Sequence, residues 1–166
     1  RERVGDDHAD TARCLTALAS CLRDRQDFAE AEGYARQAFA VQRRLPNVSA
    51  ADLADTLLTL GSTLSQQDDP SGAEPLLREA VEKFASVYGS AAWRTADARR
   101  DLGECFRKLN RMDEAERELT EAHGVLSAAG PANVIRTVKT VEQLVALYEA
   151  WDAAEPGKGY AEKAEE

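Results

Sequence analysis

The sequence predicts an all-α fold, an array of about four helix-turn-helix repeats with the last incomplete, and three observations predict it. Leucine recurs at Leu18, Leu60, Leu102 and Leu144, and alanine at Ala38, Ala80, Ala122 and Ala164, both in steps of 42 residues. Ala31, Ala73 and Ala115, each followed by glutamate, share one register, as do Thr11, Thr95 and Thr137. Within each copy two amphipathic stripes flank a short polar turn, the mark of a helical hairpin. A fixed period that needs no insertion means that one supersecondary unit is stacked on itself, each copy burying its stripe against its neighbours. The copies fall at about 7–48, 49–90, 91–132 and 133–166, read as a single repeat domain.

In the first helix of each copy the stripe reads Leu15, Leu18, Ala19 and Leu22, then Leu57, Leu60, Gly61 and Leu64, then Leu102, Gly103 and Phe106, then Val141, Leu144, Val145 and Tyr148. Ala19, Gly61 and Gly103 are small enough to let the paired helix come close. The second stripe of the first copy is Ala31, Ala35 and Ala38, broken at Gln42. Second helices are expected to start at Asp27 with Glu30 following, and at Ser71 with Glu74 three residues on, where a short oxygen side chain caps free amides. Pro75 deletes a backbone hydrogen bond and predicts a mild bend. The segments 44–49, 88–92 and 129–133 hold Gly, Pro, Asn or Ser and end the second helices.

The runs Ala73-Glu74-Pro75-Leu76-Leu77-Arg78-Glu79-Ala80 and Ala115-Glu116-Arg117-Glu118-Leu119-Thr120-Glu121-Ala122, with Leu60-Gly61 and Leu102-Gly103, resemble tetratricopeptide repeats. The period is that of the longer kinesin-light-chain type. Val4-Gly5-Asp6-Asp7-His8-Ala9-Asp10-Thr11 and the stretch from Tyr88 to Thr95 are similar to its Gly-x-x-His-x-x-Thr connector, the second without the histidine. The closing stretch, Leu144 to Trp151 with Tyr160-Ala161-Glu162, is similar to the last repeat of arrays at the carboxyl end of bacterial Ser/Thr protein kinases. The resemblance implies a right-handed superhelix with the first helices on its concave side.

The net charge of −9 is spread along the helices rather than gathered in a tail, and no basic face points to nucleic acid. Arg43 and Arg44, and Arg99 and Arg100, read as solvated helix surface. No apolar run is long enough to span a bilayer, so no membrane is expected. Cys14, Cys21 and Cys105 lack metal or redox spacing and read as small buried residues. An odd cysteine count without a disulfide framework fits a reducing compartment, and a cytoplasmic location is expected. His8 fits the connector, and His123 a half-exposed helix position; neither has a metal partner nearby in sequence.

No cofactor, metal or catalytic residue is expected. The G-x-S-x-G elbow, the phosphate loop, the H-E-x-x-H pair and the kinase signatures are all missing. Gly157-Lys158-Gly159 has neither the upstream glycine nor the following Ser or Thr of a phosphate loop and reads as a loosened helix start. The chain opens on Arg1 without methionine and stops at Glu166 inside a helix, which is expected of a piece of a longer protein, with any catalytic or targeting parts outside it.

Recognition of a protein or peptide is the expected role. Carried over from the resemblance, a partner-binding groove would be lined by Arg13, Thr16, Ser20 and Arg23, then Asp55, Leu58, Ser62 and Ser65, then Asp97, Arg100, Glu104 and Arg107, then Lys139 and Glu142. Arg100, Arg107 or Lys139 could take a peptide carboxylate. The inner asparagines of kinesin-light-chain-like repeats are absent, Thr16, Ala17, Ser20, Leu58, Thr59 and Ser62 standing there instead. The Lys and Asn clamp of chaperone-binding repeats is missing too. The alternative role is self-association through a fourth repeat that has no polar cap near Trp151, Tyr160 and Ala164. A third is positioning a neighbouring catalytic domain.

Overall fold

The structure, a computed structural model, describes residues 8–165, and among them every regular element is helical. Two compact units divide the chain between Val87 and Tyr88. The first holds α1 (Ala9–Asp24), α2 (Phe28–Arg44), α3 (Ala50–Gln66) and α4 (Pro70–Tyr88, whose last residue belongs to the second unit). The second holds α5 (Trp93–Lys108), α6 (Met112–Ala128), a 3-10 turn at Pro131–Asn133, α7 (Val134–Ala154) and α8 (Tyr160–Glu165). Residues 4–7 of the first connector lie outside the described residues; its His8 caps α1, Nδ1 accepting from the Asp10 amide at 3.3 Å.

The hairpin turns repeat atom for atom. Gln26, Asp68 and Asn110 take left-handed φ values of 68°, 61° and 59°, and the next amide of each turn donates 2.9 Å back to the carbonyl of Leu22, Leu64 or Phe106. This closes a helix by satisfying a carbonyl that would otherwise face nothing. The fourth copy departs: Asp152, in the register of Asn110, stays helical, and the chain turns at Gly157 and Gly159, with φ of 80° and 85°. Consequently α7 runs past the register of its sister helices and α8 starts late.

Small residues set the helix pairing. A Cβ on Gly61 would lie 2.8 Å from Leu77 Cγ, and one on Gly103 would lie 2.7 Å from Leu119 Cγ, the same contact in successive repeats. Ala31, Ala35, Ala38, Ala73, Leu77, Ala80, Ala115, Leu119 and Ala122 are all fully buried. Gln42 is buried as well, because its Nε2 reaches the Asp52 carbonyl at 3.1 Å and ties α2 to the start of α3.

Several expectations change. The α4 cap is Asp69, whose carboxylate accepts from the Gly72 amide at 3.0 Å, so that helix begins at Pro70 rather than Ser71. Pro75 lies inside this helix, as expected. Asp27 precedes α2 as expected but makes no side-chain cap bond and pairs with Arg25 at 3.3 Å. Leu18, Cys14 and Cys21 are exposed, because among the described residues no helix covers the face of α1 that corresponds to the face α3 turns toward α1 and α2. Only Cys105 is a buried thiol. Trp151 is buried, stacked on Tyr160 with centroids 4.3 Å apart, so the exposed apolar edge lies elsewhere, on the amino-terminal half of α7.

Candidate functional site

In the first unit the facing surfaces of α1 and α3 form an open cleft of about 280 Å³ lined by Arg13, Thr16, Ala17, Ser20, Asp52, Asp55 and Thr59. Helical spacing puts Arg13, Thr16, Ala17 and Ser20 on one face of α1, and Asp52, Asp55 and Thr59 on one face of α3. The hydroxyls of Thr16 and Thr56 share a hydrogen bond of 2.7 Å and fasten the two helices together beside this cavity. Thr16 also donates to the Ala12 carbonyl and Thr59 to that of Asp55, so both hydroxyls are held in place. Arg13 pairs with Asp10 and stands 3.7 Å from Asp52. With one guanidinium against two aspartates in the lining, the cavity favours a hydrogen-bond donor or a cation over an anion.

Four of the residues expected to line a groove therefore do meet: Arg13, Thr16, Ser20 and Asp55. Arg23 sits one turn beyond, tied to Ser20 at 3.3 Å and Asp24 at 3.0 Å. Ser62 and Ser65 are buried, whereas Leu58 is half-buried. Asp52 went unpredicted, although its place one turn before Asp55 puts it on the same helix face.

The second unit spends its charges internally. Arg100 donates to Asp97 at 2.7 Å and Asp101 at 2.8 Å, with only 15% of its side chain exposed. Burial would lower its pKa, but the neighbouring Asp101 and Asp97 carboxylates outweigh that and hold it above the ordinary arginine value. Arg107 is likewise raised, chiefly by its paired hydrogen bonds to Glu104 at 2.7 and 2.8 Å. Asp97 also accepts from Arg136 at 2.8 Å, and that guanidinium lies 4.3 Å from the centroid of Trp93. Arg99 bridges α5 to α6 through Glu118 at 2.6 Å and Glu121 at 2.8 Å. Arg99 and Arg100 are thus paired and partly buried rather than solvated; Arg43 and Arg44 are exposed as expected. Lys139 and Glu142 are exposed on α7, where Glu142 borders an apolar cavity with Val138, Val141 and Val145. Among the described residues no group of three or more His, Cys, Asp or Glu side chains could hold a metal ion. No described helix is long and apolar enough to cross a membrane.

The family model of the tetratricopeptide repeat matches residues 1–44 and 52–128. The chain belongs to the tetratricopeptide repeat family. Its fold is the all-α helix-turn-helix repeat of that family, and the repeat with the displaced turn is the one outside the match. Among solved structures, the kinesin-light-chain TPR-like repeats of Podosopora anserina superpose with a TM-score of 0.74 at 16% identity, covering 95% of this chain and 71% of that one. BtubC (BKLC) from P. vanneervenii gives a TM-score of 0.65 at 16% identity, covering 90% of this chain and 57% of that one. The tetratricopeptide chain thus spans little more than half of BtubC, and at this identity the likeness concerns the fold. No curated protein matches the sequence. Tetratricopeptide repeats generally serve protein–protein interaction and are typically non-catalytic.

Proposed function

We propose that this tetratricopeptide chain is a non-catalytic scaffold whose four repeats act as one domain to hold a protein or peptide, with neither nucleic acid nor membrane as partner. The reading rests on one observation, the convergence of Arg13, Thr16, Ser20, Asp52 and Asp55 on a single cavity between α1 and α3. Fixed hydroxyls and carboxylates at the rim of a small cleft suit an extended peptide that offers backbone amides and a Lys or Arg side chain. Arg100 and Arg107, occupied by their own carboxylates, serve as structural ties in this reading and not as anchors for acidic peptides. The setting we propose, from the resemblance of the closing repeat, is a cytoplasmic bacterial signalling protein such as a Ser/Thr kinase, with catalysis in another domain.

The test is selection from a random peptide library displayed on phage, followed by titration of the selected peptides. Asp52→Lys with Asp55→Lys, checked by circular dichroism for intact helix, should weaken the winners by about tenfold or more, a loss of roughly 1.4 kcal/mol. Binding that survives the double variant, or a library that yields no binder, overturns the reading.

A second reading, self-association through the fourth repeat, is favoured by a separate observation: Val134, Ile135, Val138 and Val141 on α7 are 57%, 71%, 50% and 42% exposed.

A further inference from the structure

The first helices of the two units carry the same contact with its charges exchanged. Two periods of 42 residues bring Asp10, Arg13 and Asp52 onto Arg94, Asp97 and Arg136. In the first unit the cation is in the middle, Arg13 pairing with Asp10 and standing 3.7 Å from Asp52. In the second the middle residue is the acid, and Asp97 accepts from Arg136 across α5 and α7 at 2.8 Å. Asp55, the next residue of the acidic cleft, is matched in register by Lys139, which is exposed and has no acidic partner among the described residues. Where the first unit attracts a cation, the second therefore offers donors to an anion. Helix α4 precedes α5 and α7 follows it, so this place is not an end of the array.

Trp93 turns this pattern into a built surface. It is exposed, and the guanidiniums of Arg136 and Arg94 lie 4.3 and 4.9 Å from the centroid of its ring. Arg94 also stands 5.7 Å from the ring centroid of Tyr88, which is exposed too. A guanidinium held over a ring face gains cation–π attraction and gives up rotamer freedom before any partner arrives. Arg136 is fixed twice, by the ring and by the one bond that its Nε donates to Asp97. Its terminal amino groups, and the indole N–H of Trp93, meet no acceptor among the described residues. Tryptophan, tyrosine and arginine are the residues most enriched at the energetic centres of protein interfaces.

We propose that Trp93, Arg136 and Lys139 form a second recognition surface, which takes an aspartate or glutamate side chain of a protein partner with an aromatic residue beside it. The carboxylate meets the terminal fork of Arg136, whose two parallel N–H groups match its two oxygens. The neighbouring aromatic residue lies against the exposed rings of Trp93 and Tyr88. Asp97 already offsets part of the Arg136 charge, so a singly charged carboxylate suits the fork better than a doubly charged phosphate. The net charge of −9 repels acidic partners at long range, so recognition here depends on direct contact with the fork and not on steering. This surface lies in the other unit from the α1–α3 cleft, selects the opposite charge and does not rest on that reading.

Subtractive selection tests it. Random peptides displayed on phage, with their carboxyl ends fused to the coat so that only side chains supply carboxylates, are depleted on the Arg136→Gln chain and then selected on the unaltered one. The expected winners carry Asp or Glu next to Phe, Tyr or Trp. In calorimetric titrations Arg136→Gln should weaken them by about tenfold or more, and Arg136→Lys, which keeps the charge without the fork, by less. Changing the peptide acid to its amide should cost as much on the unaltered chain and little on Arg136→Gln, a coupling that a general loss of structure does not produce. Circular dichroism checks the helix content of Arg136→Gln; if it falls, Lys139→Gln, at an exposed position, replaces it in the depletion and the titrations. A depleted library that yields no winner, or winners without an acid, overturns the proposal and leaves the cleft reading to its own variant. Winners whose acid becomes an amide without loss, or with equal loss on both chains, overturn it as well.

Discussion

Leu119 fills the space above Gly103 so closely that its Cγ lies 2.7 Å from where any side chain there would begin. The crowding atom is a branch point near the backbone, so it cannot swing aside without moving α6. Gly103→Ala should therefore destabilise the second unit by about 1–3 kcal/mol, the usual cost of overpacking. Gly124→Ala, also within a helix but with nothing within 4 Å of the added carbon, should stabilise by about 0.5–1 kcal/mol. Denaturant melts of the two variants check the contrast; equal midpoints would mean that Leu119 does not set the helix spacing.

Gln26 occupies a left-handed turn position at φ 68° in the place where Asn110 stands two repeats later. Asparagine tolerates that conformation better than glutamine, and glycine best of all. Gln26→Gly is expected to raise the melting temperature by about 1–4 °C, and Asn110→Gly by less. Differential scanning calorimetry reads both, and a loss on Gln26→Gly would show that the amide side chain contributes more than the backbone strain costs.

Glu116 anchors α8 to α6 and α7: its carboxylate accepts from Tyr148 Oη and from Lys163 Nζ, each at 2.8 Å. Burial pushes its pKa up, but the two hydrogen bonds and the Lys163 charge outweigh that and leave it below the ordinary glutamate value of 4.5. A carboxyl depressed in the folded state stabilises fully above its unfolded value, and the contribution is lost as pH falls through the folded one. In a Trp93→Phe background the emission of Trp151, stacked on Tyr160, should change as pH drops below about 4.5, reporting α8 detachment. Glu116→Gln should flatten that step; an unchanged profile would assign it to another carboxylate.

The repeat was legible because its signals are local. Leucine, alanine and glycine spacings depend on which face of a helix is apolar, and the short turns announce themselves by composition, so the helix boundaries at 44–50, 88–93 and 128–134 were readable directly. That Arg13, Thr16, Ser20 and Asp55 line one cleft was legible for the same reason, since repeat register puts equivalent positions on neighbouring first helices. The commitment of Arg100 and Arg107 to nearby acids was less visible, because many carboxylates stand within a turn of each arginine and only rotamers decide which pairs form. The exposure of Val134, Val138 and Val141 on α7 was not legible, because apolar residues at helical spacing look the same in sequence whether a neighbour covers them or not.

By itself the sequence determined the repeat, its family and the identity of the small residues that let helices meet, because periodicity and residue size are properties of single positions. Tertiary structure alone decided which charges neutralise one another, that the fourth turn slips from Asp152 to Gly157, and that Val134, Val138 and Val141 on α7 are left exposed. Those outcomes depend on distances between atoms far apart in the chain, such as Arg136 and Asp97, which no local pattern records.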